Sequence, residues 1–139
     1  MNILFLCVAN SARSQIAEGL AKKMLINRAR VESAGSTPGT SVHPLAIQTL
    51  QEVGINFAHQ KPKSISELLP EFVKNLDLVI TLCKEEQCPV LHGKFRKESW
   101  SLPDPADPMI PVTKRIEAFR ETRDAIKEKI EILLAKIGD

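Results

Sequence analysis

Two apolar runs, Ile3-Leu4-Phe5-Leu6 and Leu76-Asp77-Leu78-Val79-Ile80-Thr81-Leu82, restrict the fold more than any other feature of the chain. Both have strand length, and the second is β-branched in its middle. A strand apolar on both faces belongs inside a parallel sheet covered by helices. Between the runs, Ile16, Ala17, Leu20, Ala21, Met24 and Leu25 recur at helical spacing. Val31–Ala34 reads as a second strand ended by Gly35 and a turn-rich stretch. His43-Pro44 opens another helix, with Ala46, Ile47, Leu50 and Val53 as its apolar face and Gly54 as its stop. Ser64-Ile65-Ser66-Glu67 has capping-box spacing and predicts a short third helix starting there, which Pro70 would interrupt unless it falls in the first turn. Phe95–Trp100 is a fourth strand, and Pro103, Pro105, Pro108 and Pro111 make the next stretch loop. From about Thr113 to Ile137 a single amphipathic helix places Ile116, Phe119, Ile126, Ile130, Leu133, Leu134 and Ile137 on one face. This order predicts a three-layer α/β/α fold with a central four-stranded parallel sheet, as one domain over residues 1–139.

Cys7-Val8-Ala9-Asn10-Ser11-Ala12-Arg13-Ser14 joins the first strand to the first helix. Small residues let such a loop curl into a ring of N–H donors, and a helix N-terminus behind it completes a seat for a tetrahedral oxyanion. The same donors favour a thiolate over a thiol at Cys7. Arg13 closes the ring with a planar, permanently charged fork. Val8, Ala9, Asn10, Ser11, Ala12, Arg13 and Ser14 are therefore the expected substrate-binding residues, with Cys7 as nucleophile. The alternative, an inert buried cysteine and a solvated arginine, gives no reason for their spacing.

The net charge of +2 is too small to argue for nucleic acid, and Lys94–Lys97 is short and interleaved. No segment is long enough to span a bilayer, and the first apolar stretch runs straight into the loop rather than into a signal-peptide pattern. These features predict a cytoplasmic protein, and nothing demands more than a monomer. Three cysteines do not make a structural disulfide framework, so each is a candidate for chemistry. Cys83 and Cys88 share one loop with four residues between them, close enough for bonding if the backbone bends. Together with Cys7 they form a possible exchange chain. A zinc site using them with His92 or His59 would need a second tight ligand pair that is missing, and idle thiols are the other alternative. Asp104, in Asp104-Pro105-Ala106-Asp107-Pro108, is the candidate general acid, with Asp107 weaker. An Asp-Pro pair alone would be a turn. His43, His59 and His92 carry no pairing signal and receive no role.

The stretch from Phe5 to Gly19 resembles the opening of the thioredoxin-coupled arsenate reductases, which share the low-molecular-weight protein tyrosine phosphatase fold. Glu52-Val53-Gly54-Ile55, Val79–Cys83 with Cys88-Pro89, Trp100 ahead of Asp104-Pro105-Ala106, and Phe119–Ile126 extend the resemblance over essentially the whole chain. It implies that Cys7 attacks arsenate held by the loop and Arg13 while Asp104 protonates the departing oxygen. Cys83 would then attack Cys7 and release arsenite. Cys88 would in turn attack Cys83, leaving a Cys83–Cys88 disulfide for thioredoxin, or a glutaredoxin-type reductant, to reduce. Phosphate and sulfate would compete as oxyanions. Family members often carry a second cysteine in the loop, where this chain has Ala12, and the Cys83–Cys88 interval is shorter than in the best-known members. Some bind potassium near the loop through an acid. Lys63 stands at the corresponding place, and its ammonium can replace the ion, so no metal and no cofactor is expected. A phosphatase using Cys7, Arg13 and Asp104 is the alternative, and a non-enzymatic anion-binding or redox-sensing module of the same fold a third reading. Low-molecular-weight phosphatases usually place an aromatic beside the Asp-Pro. Ala106 follows here and the chain has no tyrosine, which suits a bare inorganic anion better.

Overall fold

The computed structural model describes residues 1–56, 60–84 and 91–137. Among them, four strands form one parallel sheet: β1 (Asn2–Cys7), β2 (Arg30–Gly35), β3 (Leu78–Thr81) and β4 (Arg96–Ser99), in the order β2-β1-β3-β4. Cys7 is paired with Gly35, and Leu6 with Thr81. β3 is shorter than its apolar run, but its backbone pairing continues past both ends, with Asp77 N–H on the Asn2 carbonyl and Leu82 N–H on the Leu6 carbonyl. The chain runs from β1 to β2 on one side and then crosses back over β1 to β3 on the other, so the switch point of the sheet lies between β1 and β3. Ligands of open α/β sheets bind outside the carboxyl ends of strands at such a point.

Alternation along β1 divides the core. Ile3 and Phe5 pack with Leu78 and Ile80 under α1 (Arg13–Met24), α2 (Pro44–Gln51) and α4 (Val112–Ile137). Leu4 and Leu6 pack with Val79 and Phe72 on the opposite face, under α3 (Pro70–Lys74). Both faces of β1 are thus buried, as an apolar run in a parallel sheet requires. α4 buries Phe119, Ile126, Ile130 and Leu133 and is tied to α2 by Arg123, whose Nη1 donates to the Thr49 carbonyl at 2.9 Å.

One expected element is divided. In place of a single helix from Ser64, the chain makes a 3-10 turn (Ile65–Glu67), runs extended at Leu68 and Leu69, and restarts as α3 with Pro70 in its first turn. The capping carboxylate of Glu67 accepts from Ser64 N–H at 2.7 Å, as the spacing implied. The residue before a proline is pushed out of the helical region, which breaks the helix at Leu69. Among the described residues, no helix is long and apolar enough to cross a membrane.

Candidate active site

β1 ends at Cys7, and the loop of residues 8–12 turns back into α1. The outward carbonyls of this loop are pinned by the segment after β2. Thr37 N–H donates to the Val8 carbonyl (2.9 Å), Gly39 N–H to Ala9 (2.9 Å) and His43 N–H to Ser11 (2.8 Å). With its carbonyls held outward, the loop turns amide edges toward its centre. Ala12, the N-cap of α1, has no side-chain cap, so first-turn N–H groups remain available to an anion.

Asn10 sets the curvature. It adopts a left-handed φ of 52°, a conformation asparagine tolerates better than most residues. Its backbone N–H is thereby aimed at Cys7 Sγ, 3.2 Å away. Its fully buried side chain has every hydrogen-bonding position filled. Nδ2 donates to Ser14 Oγ (2.7 Å) and Ser33 Oγ (2.9 Å), and Oδ1 accepts from Lys63 N–H (2.9 Å) and Gln15 Nε2 (3.2 Å). Ser14 Oγ lies 2.8 Å from Cys7 Sγ. Because Ser14 already accepts from Asn10, its own proton is free to point at the sulfur. Two donors therefore converge on a buried, unbridged Cys7 and stabilise negative charge there.

A cavity of about 580 Å³ opens over this sulfur. Cys7, Val8, Ala9, Ser11, Ala12 and Arg13 line it from the loop side, and Ser36, Thr37, Asp104 and Ala106 from the other. The side chains of Asn10 and Ser14, residues expected to bind substrate, are fully buried and do not line the cavity. Both side chains are taken up by the hydrogen bonds just described and brace the loop and the sulfur; the expectation for these two residues rests on backbone N–H groups rather than on side chains. Ser36 and Thr37 were not anticipated; their place follows from the Thr37–Val8 bond, which has no local sequence signal.

Arg13 reaches across the sheet ends. One guanidinium nitrogen donates to the carbonyls of Leu102 (2.9 Å) and Leu82 (3.3 Å). The same side chain thus borders the cavity, the residue before Cys83 and the approach to Asp104. Asp104 is exposed at the cavity rim, and its Oδ1 accepts from Ala106 N–H at 2.9 Å in an Asx turn. Asp107 makes the corresponding turn with Met109 and does not line this cavity. Cys83 is fully buried and disulfide-bonded. Cys88 and His59 lie outside the described residues.

Behind the loop, Glu18 is buried with its side chain 1% exposed. It accepts from Ser33 Oγ and pairs with Lys22 (2.6 Å) and Lys63 (3.3 Å), and Lys63 also lies 3.7 Å from Glu32. An ammonium already stands beside this carboxylate, so the group does not suit a resident cation. Among the described residues no cluster of His, Cys, Asp or Glu could hold a metal ion. Lys63→Met would leave Glu18 with only the half-exposed Lys22 as countercharge. It is expected to destabilise the fold by about 1–3 kcal/mol, read as a lower urea midpoint at unchanged m. An unshifted midpoint would show that the pair carries no net stability.

The family model for low molecular weight phosphotyrosine protein phosphatase matches residues 2–139. The chain is 40% identical over 132 residues to a protein named arsenate reductase from Staphylococcus aureus (strain Newman), covering 93% of this chain and 92% of that protein. A solved structure of an arsenate reductase in the phosphate-binding state superposes with a TM-score of 0.78 at 35% identity, covering 99% of each chain. A thioredoxin-dependent arsenate reductase from Corynebacterium glutamicum superposes with a TM-score of 0.68 at 30% identity, covering 96% of this chain and 62% of that one.

Proposed function

The chain belongs to the low molecular weight phosphotyrosine protein phosphatase family, and from that premise we propose that it is an arsenate reductase working through three thiols. The observation that carries this reading is the reach of Arg13. It joins the anion loop holding Cys7 to the Leu82 carbonyl next to Cys83, and to the Leu102 carbonyl at the base of the Asp104 loop. Relatives named arsenate reductase over nearly the whole chain support it.

In the proposed sequence, arsenate sits on the loop amides with Arg13 across two of its oxygens. Cys7 thiolate attacks arsenic(V) and a Cys7–arsenic bond forms. Asp104 donates a proton to the oxygen that leaves as water. Cys83 thiolate then attacks Cys7 Sγ: a sulfur–sulfur bond forms, the sulfur–arsenic bond breaks, and its electron pair reduces arsenic to arsenite. Cys88 thiolate attacks Cys83, returning Cys7 as a thiolate and leaving the second disulfide to an external dithiol of the thioredoxin type. A reducing cytoplasm is the setting this chemistry implies.

The family also includes phosphatases, and the loop with Asp104 has the parts for phosphate-ester hydrolysis. Ala106 lines the cavity beside Asp104, where an aromatic ring would be needed to clasp a phenyl ester. That favours the inorganic anion.

The test is arsenate turnover with thioredoxin and its reductase. Wild type is expected to turn over repeatedly, and Cys83→Ser to form the Cys7 adduct and stop, with steady-state turnover at least ~100-fold lower. Cys83→Ser turning over at the wild-type rate would remove the relay.

A further inference from the structure

His43 carried no sequence signal beyond preceding Pro44, yet it stands where the loop, α2 and α4 meet. Its backbone N–H holds the Ser11 carbonyl at 2.8 Å, and its carbonyl accepts from Ala46 and Ile47 in the first turn of α2. As the N-cap of α2, its Nδ1 accepts from Leu45 N–H at 3.1 Å. The ring stacks on Phe119 of α4, with centroids 4.7 Å apart. We propose that His43 is a positioning residue of the anion loop: its neutral imidazole, capping α2, fixes the Ser11 peptide, and protonation at Nδ1 releases it.

Hydrogen-bond sign fixes the protonation state of the cap. Nδ1 can accept from Leu45 only while it carries no proton, so the neutral ring carries its hydrogen on Nε2. An imidazolium would set one N–H against another, and the ring would have to turn away from its cap and from Phe119. The backbone of His43, extended at φ −61° and ψ 133°, would lose the side-chain bond that holds it. That same backbone supplies the anchor of Ser11, which borders the cavity.

The charged groups acting on the ring are Asp104, from the cavity rim, and Arg115, from α4; the loop side presents the uncharged Ser11. Burial lowers the imidazole pKa most, Asp104 raises it, and Arg115 lowers it again; the net direction is below the ordinary value of 6.5. The ring is therefore neutral at neutral pH. The stability it adds is fully present above the unfolded value and is lost as pH falls through the lower folded one.

The inference requires only that the loop seats an oxyanion, whichever anion is the substrate. Sulfate is the probe, because it stays doubly charged across the range from about pH 5 to about pH 8 in which histidine titrates. Its affinity is measured by calorimetry for wild type, His43→Asn and His43→Ala, while NMR follows the His43 ring in wild type. Asparagine caps a helix as well but does not titrate. The affinity of wild type relative to His43→Asn is expected to fall as His43 protonates, by about three- to thirtyfold, the range a lost N-cap carries. His43→Ala is expected to bind more weakly than His43→Asn at neutral pH. A wild-type to His43→Asn ratio that stays constant across the titration overturns the proposal, and it decides the matter even if His43→Ala does not fold. If the ratio moves as expected while the wild-type protein turns over no arsenate, this inference stands and the reductase reading falls.

Discussion

Replacing Gly35 with alanine is expected to lower arsenate turnover by about 100-fold and the stability of the fold by about 1–3 kcal/mol. A Cβ at this position would lie 2.3 Å from the Val8 carbonyl oxygen and 3.0 Å from Asn10 N. Both neighbours are backbone, so no side chain can rotate out of the way. β2 cannot retreat easily either, because Gly35 is paired with Cys7 and its N–H donates to the Lys63 carbonyl at 2.9 Å. The anion loop must therefore move. Val8 and Asn10 are the residues that place Cys7 Sγ among its donors, and displacing reacting groups by about 1 Å commonly costs two orders of magnitude in rate. Steady-state kinetics with thermal or urea unfolding would read both effects. An alanine variant with wild-type turnover would mean that the close approach of β2 to the loop has no catalytic consequence.

Cys7→Ser is expected to reduce arsenate turnover by on the order of 10⁴-fold or more while leaving oxyanion binding within about threefold of wild type. The exchange removes the sulfur and little else. The Asn10 N–H and the Ser14 hydroxyl can bond a serine oxygen as they bond Sγ, so the loop keeps its shape. Arg13 keeps its tethers to Leu82 and Leu102. A hydroxyl is a weak nucleophile without a base to activate it, and it cannot enter disulfide exchange, so both halves of the proposed reaction stop together. Phosphate binding by calorimetry separates the two functions of the loop. Retained turnover would place the nucleophile elsewhere and favour an anion-binding or sensing role; binding lost along with turnover would show that the sulfur also shapes the seat.

Much of this architecture is legible along the chain because it is written in local patterns. β1 and α1 follow from an apolar run and a helical repeat, and α4 from the spacing of Phe119, Ile126, Ile130 and Leu133. Cys7 and Arg13 could be paired because one short loop joins them. Asp104 could be nominated only through the rule that the carboxyl ends of parallel strands converge, and it lines the same cavity as Cys7. The short helix expected after Ser64 divided at Leu69 because the constraint from Pro70 outweighed the continuity of the pattern.

What the linear order determined by itself is the set of candidate reactive groups: a thiol and a guanidinium at the two ends of one loop, behind a buried strand. Only the tertiary structure decided how that loop is held. Asn10 has no visible task until Ser14, Ser33, Gln15 and Lys63 surround its amide, and Gly35 reads only as the end of a strand until the Val8 carbonyl is found against it. These partners lie up to 53 positions apart, as Asn10 and Lys63 do. Periodicity and spacing report neighbours along a helix or strand. They carry no information about which backbone, brought in from another strand, fills the space beside a loop.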